Sequence, residues 1–166
     1  MKFPIVVCGV EEVPQMTIHG PKRMVSLLEP GLSVQSPPTV EDRLALTMLD
    51  ISNASVQRPD APCLDHVHRL LTFGARAPVE TQDVTLVCCR AGISRSTAAA
   101  LILVAQRYGA DRLSEAVDWL LLMRPEADPN TRLLMLADQA LQLPGSLMRA
   151  GQVIKKRQRA ARGEWI

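Results

Sequence analysis

Aromatic side chains are scarce: Phe3, Phe73, Tyr108, Trp119 and Trp165 are the whole supply, 3% of 166 residues. Nucleic-acid binding that stacks bases on aromatic platforms is therefore disfavoured. Histidine is also sparse, and His66 and His68 stand two positions apart, on different faces of any helix. The four cysteines, Cys8, Cys63, Cys88 and Cys89, lack the paired spacing of zinc ligands, and two of them are adjacent. That argues against both a metal site and a disulfide framework. No apolar run approaches the roughly 20 residues of a membrane span, because Arg or Asp interrupts each one. The opening apolar run, Phe3 to Cys8, is too short for a signal peptide and has no small-residue cleavage site, so a cytoplasmic location is expected.

What is present has the balance of a soluble globular chain, 47% apolar and 22% charged, and at roughly 150 residues per domain it makes a single domain over 1–166. The net charge of +2 conceals an asymmetry. From Lys155 onward five basic side chains face one acid, a local +4, so the rest of the chain stands at −2. A basic tail over 155–166 on a slightly acidic body can touch acidic partners or a membrane surface, although such runs are more often solvated helix ends.

Short β-type runs alternate with helical patterns, which argues for an α/β fold: a central four-stranded, largely parallel sheet flanked by helices. The runs predict strands near Ile5 to Val10, Met24 to Leu28, Leu44 to Leu49 and Val84 to Cys88. A helix is expected from about Pro62 to Gly74, where Leu64, Val67 and Leu71 share a face. After the fourth strand the chain reads as wholly helical. Ser96 to Tyr108 is apolar almost all round, Asp111 is placed to cap a helix ending before Pro125, and Asn130 to cap another running to about Leu141. Pro144-Gly145 breaks the pattern, and Ser146 opens a last helix that carries the basic residues.

The chemistry lies in the segment after the fourth strand, Cys88-Cys89-Arg90-Ala91-Gly92-Ile93-Ser94-Arg95-Ser96. A cysteine ends a buried strand, a short loop with one glycine follows, and an arginine stands where an Ala-rich helix begins. The backbone N–H groups of Arg90, Ala91, Gly92, Ile93, Ser94 and Arg95 can converge on one centre, the helix N-terminus adds positive potential, and Arg95 offers a fork to two phosphate oxygens. The same field favours a thiolate at Cys89 and makes it a nucleophile. Ser96 can hydrogen-bond the sulfur, which helps it leave in a second step. Arg90 stands at the pocket rim, either as a substrate contact or as solvated charge. His19, before Gly20-Pro21, reads as a loop residue.

Cys89, five residues, Arg95 and Ser96 together resemble the signature of the cysteine-based protein tyrosine phosphatase superfamily, and Ala91-Gly92-Ile93-Ser94-Arg95-Ser96 is similar to its dual-specificity branch. Arg124, Pro129-Asn130 and the Leu-rich helix after them extend the likeness. So do Leu49-Asp50-Ile51 and Leu133 to Asp138, in the manner of a group of small bacterial tyrosine-phosphatase-like proteins. The resemblance implies a metal-independent, cofactor-free hydrolase of phosphate monoesters acting through a cysteinyl-phosphate, on a phosphorylated protein or a small ester. It implies catalytic roles for Cys89, Arg95 and an acid that protonates the leaving oxygen. Asp50, directly after the third strand, is preferred for that acid. Asp60 lies nearer the dual-specificity spacing, but helix capping explains it without chemistry.

One position departs from the family. Where it usually carries histidine this chain has Cys88, which predicts a less acidic thiol at Cys89 and slower turnover. Cys88 itself reads as a small buried strand residue, pointing away from Cys89. The substitution keeps open an alternative, a pseudophosphatase that binds phospho-groups with little turnover. A rhodanese-like sulfurtransferase fits less well, because its loop is typically one residue shorter before the arginine. Cys8 has Pro14, not arginine, six positions on, and reads as a strand residue.

Overall fold

Four apolar runs form strands β1 (Ile5–Gly9), β2 (Arg23–Leu28), β3 (Asp42–Thr47) and β4 (Thr85–Cys89), in a computed structural model that describes residues 3–78 and 82–164. They lie in the order β1-β4-β2-β3 and every pairing is parallel. Every residue of the inner strands β2 and β4 is buried, the mark of parallel strands covered on both faces, and so is every residue of the edge strand β1. The other edge strand, β3, alternates in exposure instead. It begins two residues earlier than its apolar run suggested, because Asp42 pairs with Arg23 of β2. At its far end Leu49 leaves the sheet by donating its N–H to the Asp60 carbonyl at 2.7 Å.

Five helices follow the expected plan: α1 (Leu64–Ala75), α2 (Arg95–Tyr108), α3 (Leu113–Met123), α4 (Thr131–Ala140) and α5 (Ser146–Ala161). Strand alternation divides the interior into two apolar clusters. Val7, Val25, Val87 and Cys89 face the larger one, to which all five helices contribute. Val6, Cys8, Met24, Leu86 and Cys88 face a smaller one, closed by Val13 and partly buried loop residues. At the centre of the larger cluster lies α2, buried without interruption from Arg95 to Ala105. Phe3 packs against Tyr108 and Trp119, so three of the few aromatics meet at one end of the core, with centroids 5.3 and 5.2 Å away.

Local capping rules held once and failed twice. Asn130 caps α4, its Oδ1 accepting the Leu133 N–H at 3.0 Å. Asp111 does not cap α3: it sits inside a 3-10 turn, Ala110–Arg112, that leads straight into the helix. Asp60 does not cap α1 either. The helix starts four residues later, at Leu64, and the Asp60 carboxylate instead binds Arg58 through Nε and Nη2 at 2.9 and 2.8 Å.

The basic segment begins inside α5. Leu147, Ala150, Gly151 and Ile154 form its buried face, and Gly151 lets α5 approach α4 closely, since a Cβ would stand 2.7 Å from Leu134 Cδ1 and force that side chain to shift. On the other side Arg157 pairs with Asp118 of α3. Trp165 and Ile166, at the end of the tail, lie outside the described residues. Among the described residues no helix is long and apolar enough to cross a membrane.

The start of α5 is held by a residue of the preceding helix. Asp138 is 6% exposed, and its two oxygens accept the N–H groups of Leu147 at 2.9 Å and Met148 at 3.0 Å. Removing the carboxylate leaves one buried and one partly buried amide without acceptors, at about 1–3 kcal/mol. Asp138→Ala is therefore expected to lower the urea midpoint with an unchanged denaturant slope, and an unchanged midpoint would contradict this capping role.

Candidate active site

β4 ends on Cys89 and α2 begins at Arg95, so the loop between them is suspended from the sheet at one end and the central helix at the other. Four of its carbonyls are taken up by the body. Arg90 O accepts from Val10 N at 3.2 Å, Ala91 O from Arg124 Nη2 at 3.1 Å, Ile93 O from Asp128 N at 2.9 Å, and Ser94 O from Asn130 N at 3.1 Å. Among the described residues, no backbone N–H of Arg90 to Ser94 has a protein acceptor. A loop with its oxygens anchored outside and its amides left over has the donor arrangement that can cradle an anion.

Gly92 makes that curvature possible. It has φ +74°, and a Cβ there would stand 2.5 Å from Gly9 N and 2.6 Å from Cys8 C, backbone atoms of β1 that cannot give way.

The Arg95 side chain is 97% buried. Nη1 donates to the carbonyl of Met48 at 2.8 Å and Nη2 to Glu29 Oε1 at 3.1 Å. Nε is buried with no partner, and so is Glu29 Oε2. Burial pushes the Glu29 carboxyl up, but the hydrogen bond from Arg95 and the charges of Arg95 and Arg90 outweigh it, and the group is held below the usual carboxylate range. Cys89 Sγ lies 3.1 Å from Ser96 Oγ. Asp50 Oδ1 accepts from Ser94 Oγ at 2.7 Å and from Asn130 Nδ2 at 2.8 Å. Asn130 thus holds Asp50 while it caps α4.

These groups share one cavity of about 480 Å³, walled by Cys89, Arg95, Asp50, Glu29 and the loop, with exposed Arg90 at its edge. Asp60, the other acid considered, does not line it. Cys88 points to the opposite face of the sheet, fully buried beside Cys8 and Leu86. Burial, reinforced by Cys89, pushes its thiol up to about 12, so Cys88 stays a neutral, apolar residue and performs none of the functions of an imidazole.

Sequence reasoning missed Glu29, Asp128 and the brace behind the loop. Glu29 directly follows β2, as Asp50 follows β3 at the same sheet edge, and the rule that ligands bind at the carboxyl ends of parallel strands could have flagged it. The brace joins distant segments. Arg124 Nη1 binds both Glu12 oxygens at 2.8 and 3.0 Å while its Nη2 holds Ala91 O, and Glu12 also accepts the Gly9 N–H at 2.6 Å.

No family model and no curated protein matches the chain. Solved structures do. It superposes on human DUSP28 with a TM-score of 0.59, at 20% identity, over 84% of this chain and 90% of that one. On the Yvh1 phosphatase domain from Chaetomium thermophilum the TM-score is 0.62, at 20% identity, over 86% and 94%. On PTPMT1 in complex with PI(5)P it is 0.56, at 14% identity, over 92% and 90%. The chain shares its fold with these phosphatase structures.

Burial raises the Glu12 carboxyl, but the Gly9 amide and the Arg124 pair outweigh this and hold it below the usual range. A carboxyl depressed on folding contributes stability in full above its unfolded value of about 4.3 and loses it as pH falls through the folded one. Glu12→Gln is expected to flatten the acid side of the stability profile, read as the urea midpoint from pH 7 down to pH 3. A profile parallel to the wild type would contradict the brace.

Proposed function

We propose that the protein is a metal-independent phosphate monoester hydrolase acting through a cysteinyl-phosphate, with Cys89, Arg95 and Asp50 as its catalytic residues. The observation that carries this reading is the unpartnered Arg95 Nε, buried beside Cys89 and a ring of unpartnered loop amides. Those donors suit the equatorial oxygens of a phosphoryl group, whose charge they stabilise during transfer.

In the first step Cys89 Sγ attacks phosphorus, the P–O bond to the leaving group breaks, and Asp50 gives its proton to the departing oxygen. In the second, Asp50 takes a proton from water, whose oxygen bonds to phosphorus as the S–P bond breaks. Ser96 Oγ, at 3.1 Å, hydrogen-bonds the leaving thiolate. Ser94 and Asn130 both engage Asp50 Oδ1, and among the described residues no donor engages Oδ2, which suits Oδ2 to the proton transfer.

Cys88 supports a second reading, a pseudophosphatase that retains the cradle with little turnover, because a buried neutral thiol replaces the family's histidine. Kinetics separate the two. Cys89→Ser is expected to abolish hydrolysis of an aryl phosphate while vanadate still binds. Asp50→Asn is expected to slow phenyl phosphate by about 10²- to 10⁴-fold and an activated aryl phosphate far less. Unimpaired turnover by Cys89→Ser overturns the nucleophile, and the leaving-group pattern arising from Asp60→Asn instead moves the acid role there. Vanadate binding with no wild-type turnover establishes the pseudophosphatase.

A further inference from the structure

The cationic face of α5 adjoins the cavity that holds Cys89. Lys155 and Arg159 of α5 and Arg162, the residue capping its C-terminus, stand at i, i+4 and i+7 along one side, and wall a second, polar concavity of about 370 Å³. Ile93 and Asp128 line both concavities, so the phosphate cradle and the basic stripe are neighbouring chambers with a shared wall. The charges are not all committed. Lys155 faces Asp128 at 3.4 Å and Thr131 Oγ1 at 3.2 Å, and Arg162 faces Glu164 at 3.2 Å. Glu126, on the same wall, pairs with Arg124 at 2.9 Å. Arg159 is exposed and, among the described residues, has no ion pair or side-chain hydrogen bond. The Lys155 and Arg162 pairs are solvent-exposed, and such pairs exchange readily for an incoming anion.

We propose that this stripe reads acidic or phosphorylated residues flanking the phosphoresidue of an extended phosphopeptide. The inference rests on the phosphatase reading and names its substrate class. Seven residues of helix span about 10 Å, the length of roughly three residues of extended chain. A peptide leaving the cradle past Ile93 can therefore set successive acidic side chains against successive cations. A compact phosphoinositide ring concentrates its charge over a shorter span and matches the stripe less well.

The test compares two synthetic phosphopeptides, one with Glu and one with Gln at the three positions flanking the phosphoresidue. The enzymes are the wild type, Arg159→Glu and the triple Lys155→Ala, Arg159→Ala, Arg162→Ala variant. Each rate is referred to turnover of a small aryl phosphate by the same preparation, which reports folded sites. At about threefold per exposed pair, the wild type is expected to prefer the acidic peptide by roughly tenfold or more at low salt, mainly through KM. That preference should shrink with added salt, approach unity in the triple variant and fall further in Arg159→Glu. A wild-type preference that is absent, or that survives both variants, overturns the proposal. So does a soluble PI(5)P hydrolysed in preference to the acidic peptide and slowed by the same substitutions. Fluorescence anisotropy with Cys89→Ser repeats the comparison without turnover. Failure of the phosphatase reading then appears as selective binding without hydrolysis, and failure of the stripe as hydrolysis without selectivity.

Discussion

A buried guanidinium is tolerated only where its N–H groups find acceptors, and Arg95, at the first residue of α2, has found two. Met48 O and Glu29 Oε1 take Nη1 and Nη2, which leaves Nε unmet in the wall of the cavity. The surroundings follow from that arrangement. Glu29 offsets part of the charge and fixes the plane of the fork. The loop turns four of its carbonyls to Val10, Arg124, Asp128 and Asn130, and among the described residues its amides have no protein acceptor. Under the proposed function, a phosphate dianion would complete hydrogen bonds that the fold has oriented in advance, so that little reorganisation would be needed during reaction.

The sheet has a second part in the design through its period of two. Cys88 and Cys89 are adjacent, yet one faces the loop-covered cluster and the other the helices and the cradle. Burial keeps Cys88 neutral on its own side, so the fold separates a structural thiol from a candidate nucleophile by a single peptide unit. The outer supports reach the cradle from elsewhere in the chain: the Glu12–Arg124 brace ties it to the end of β1, and Asn130 ties it to α4 and Asp50.

Features encoded over a few neighbouring residues were legible in the sequence. The four strands, the loop from Cys89 to Arg95 and the Asn130 cap each depend on local pattern, although β3 ends at Thr47 rather than Leu49, so that Asp50 lies three residues beyond it. Glu29, the Glu12–Arg124 brace and the Asp138 cap were not legible, because each unites segments far apart in the chain through tertiary packing. The capping rule misled at Asp60 and Asp111, where an Arg58 ion pair and a 3-10 turn outcompeted it. The basic run read as a solvated end because its pattern carries no information about what lies opposite. Its place beside the cradle is set by Leu147, Ala150 and Ile154 on the buried face of α5.

The central claim is that phosphate passes through sulfur, and the most direct measurement is the covalent intermediate itself. Wild-type protein mixed with an activated aryl phosphate, quenched in acid within one turnover and digested, is expected to yield a single phosphorylated peptide, the one containing Cys89, with an amplitude that decays as inorganic phosphate appears. Phosphate release at the same rate with no modified Cys89 peptide, or with the phosphate on another residue, would contradict the account.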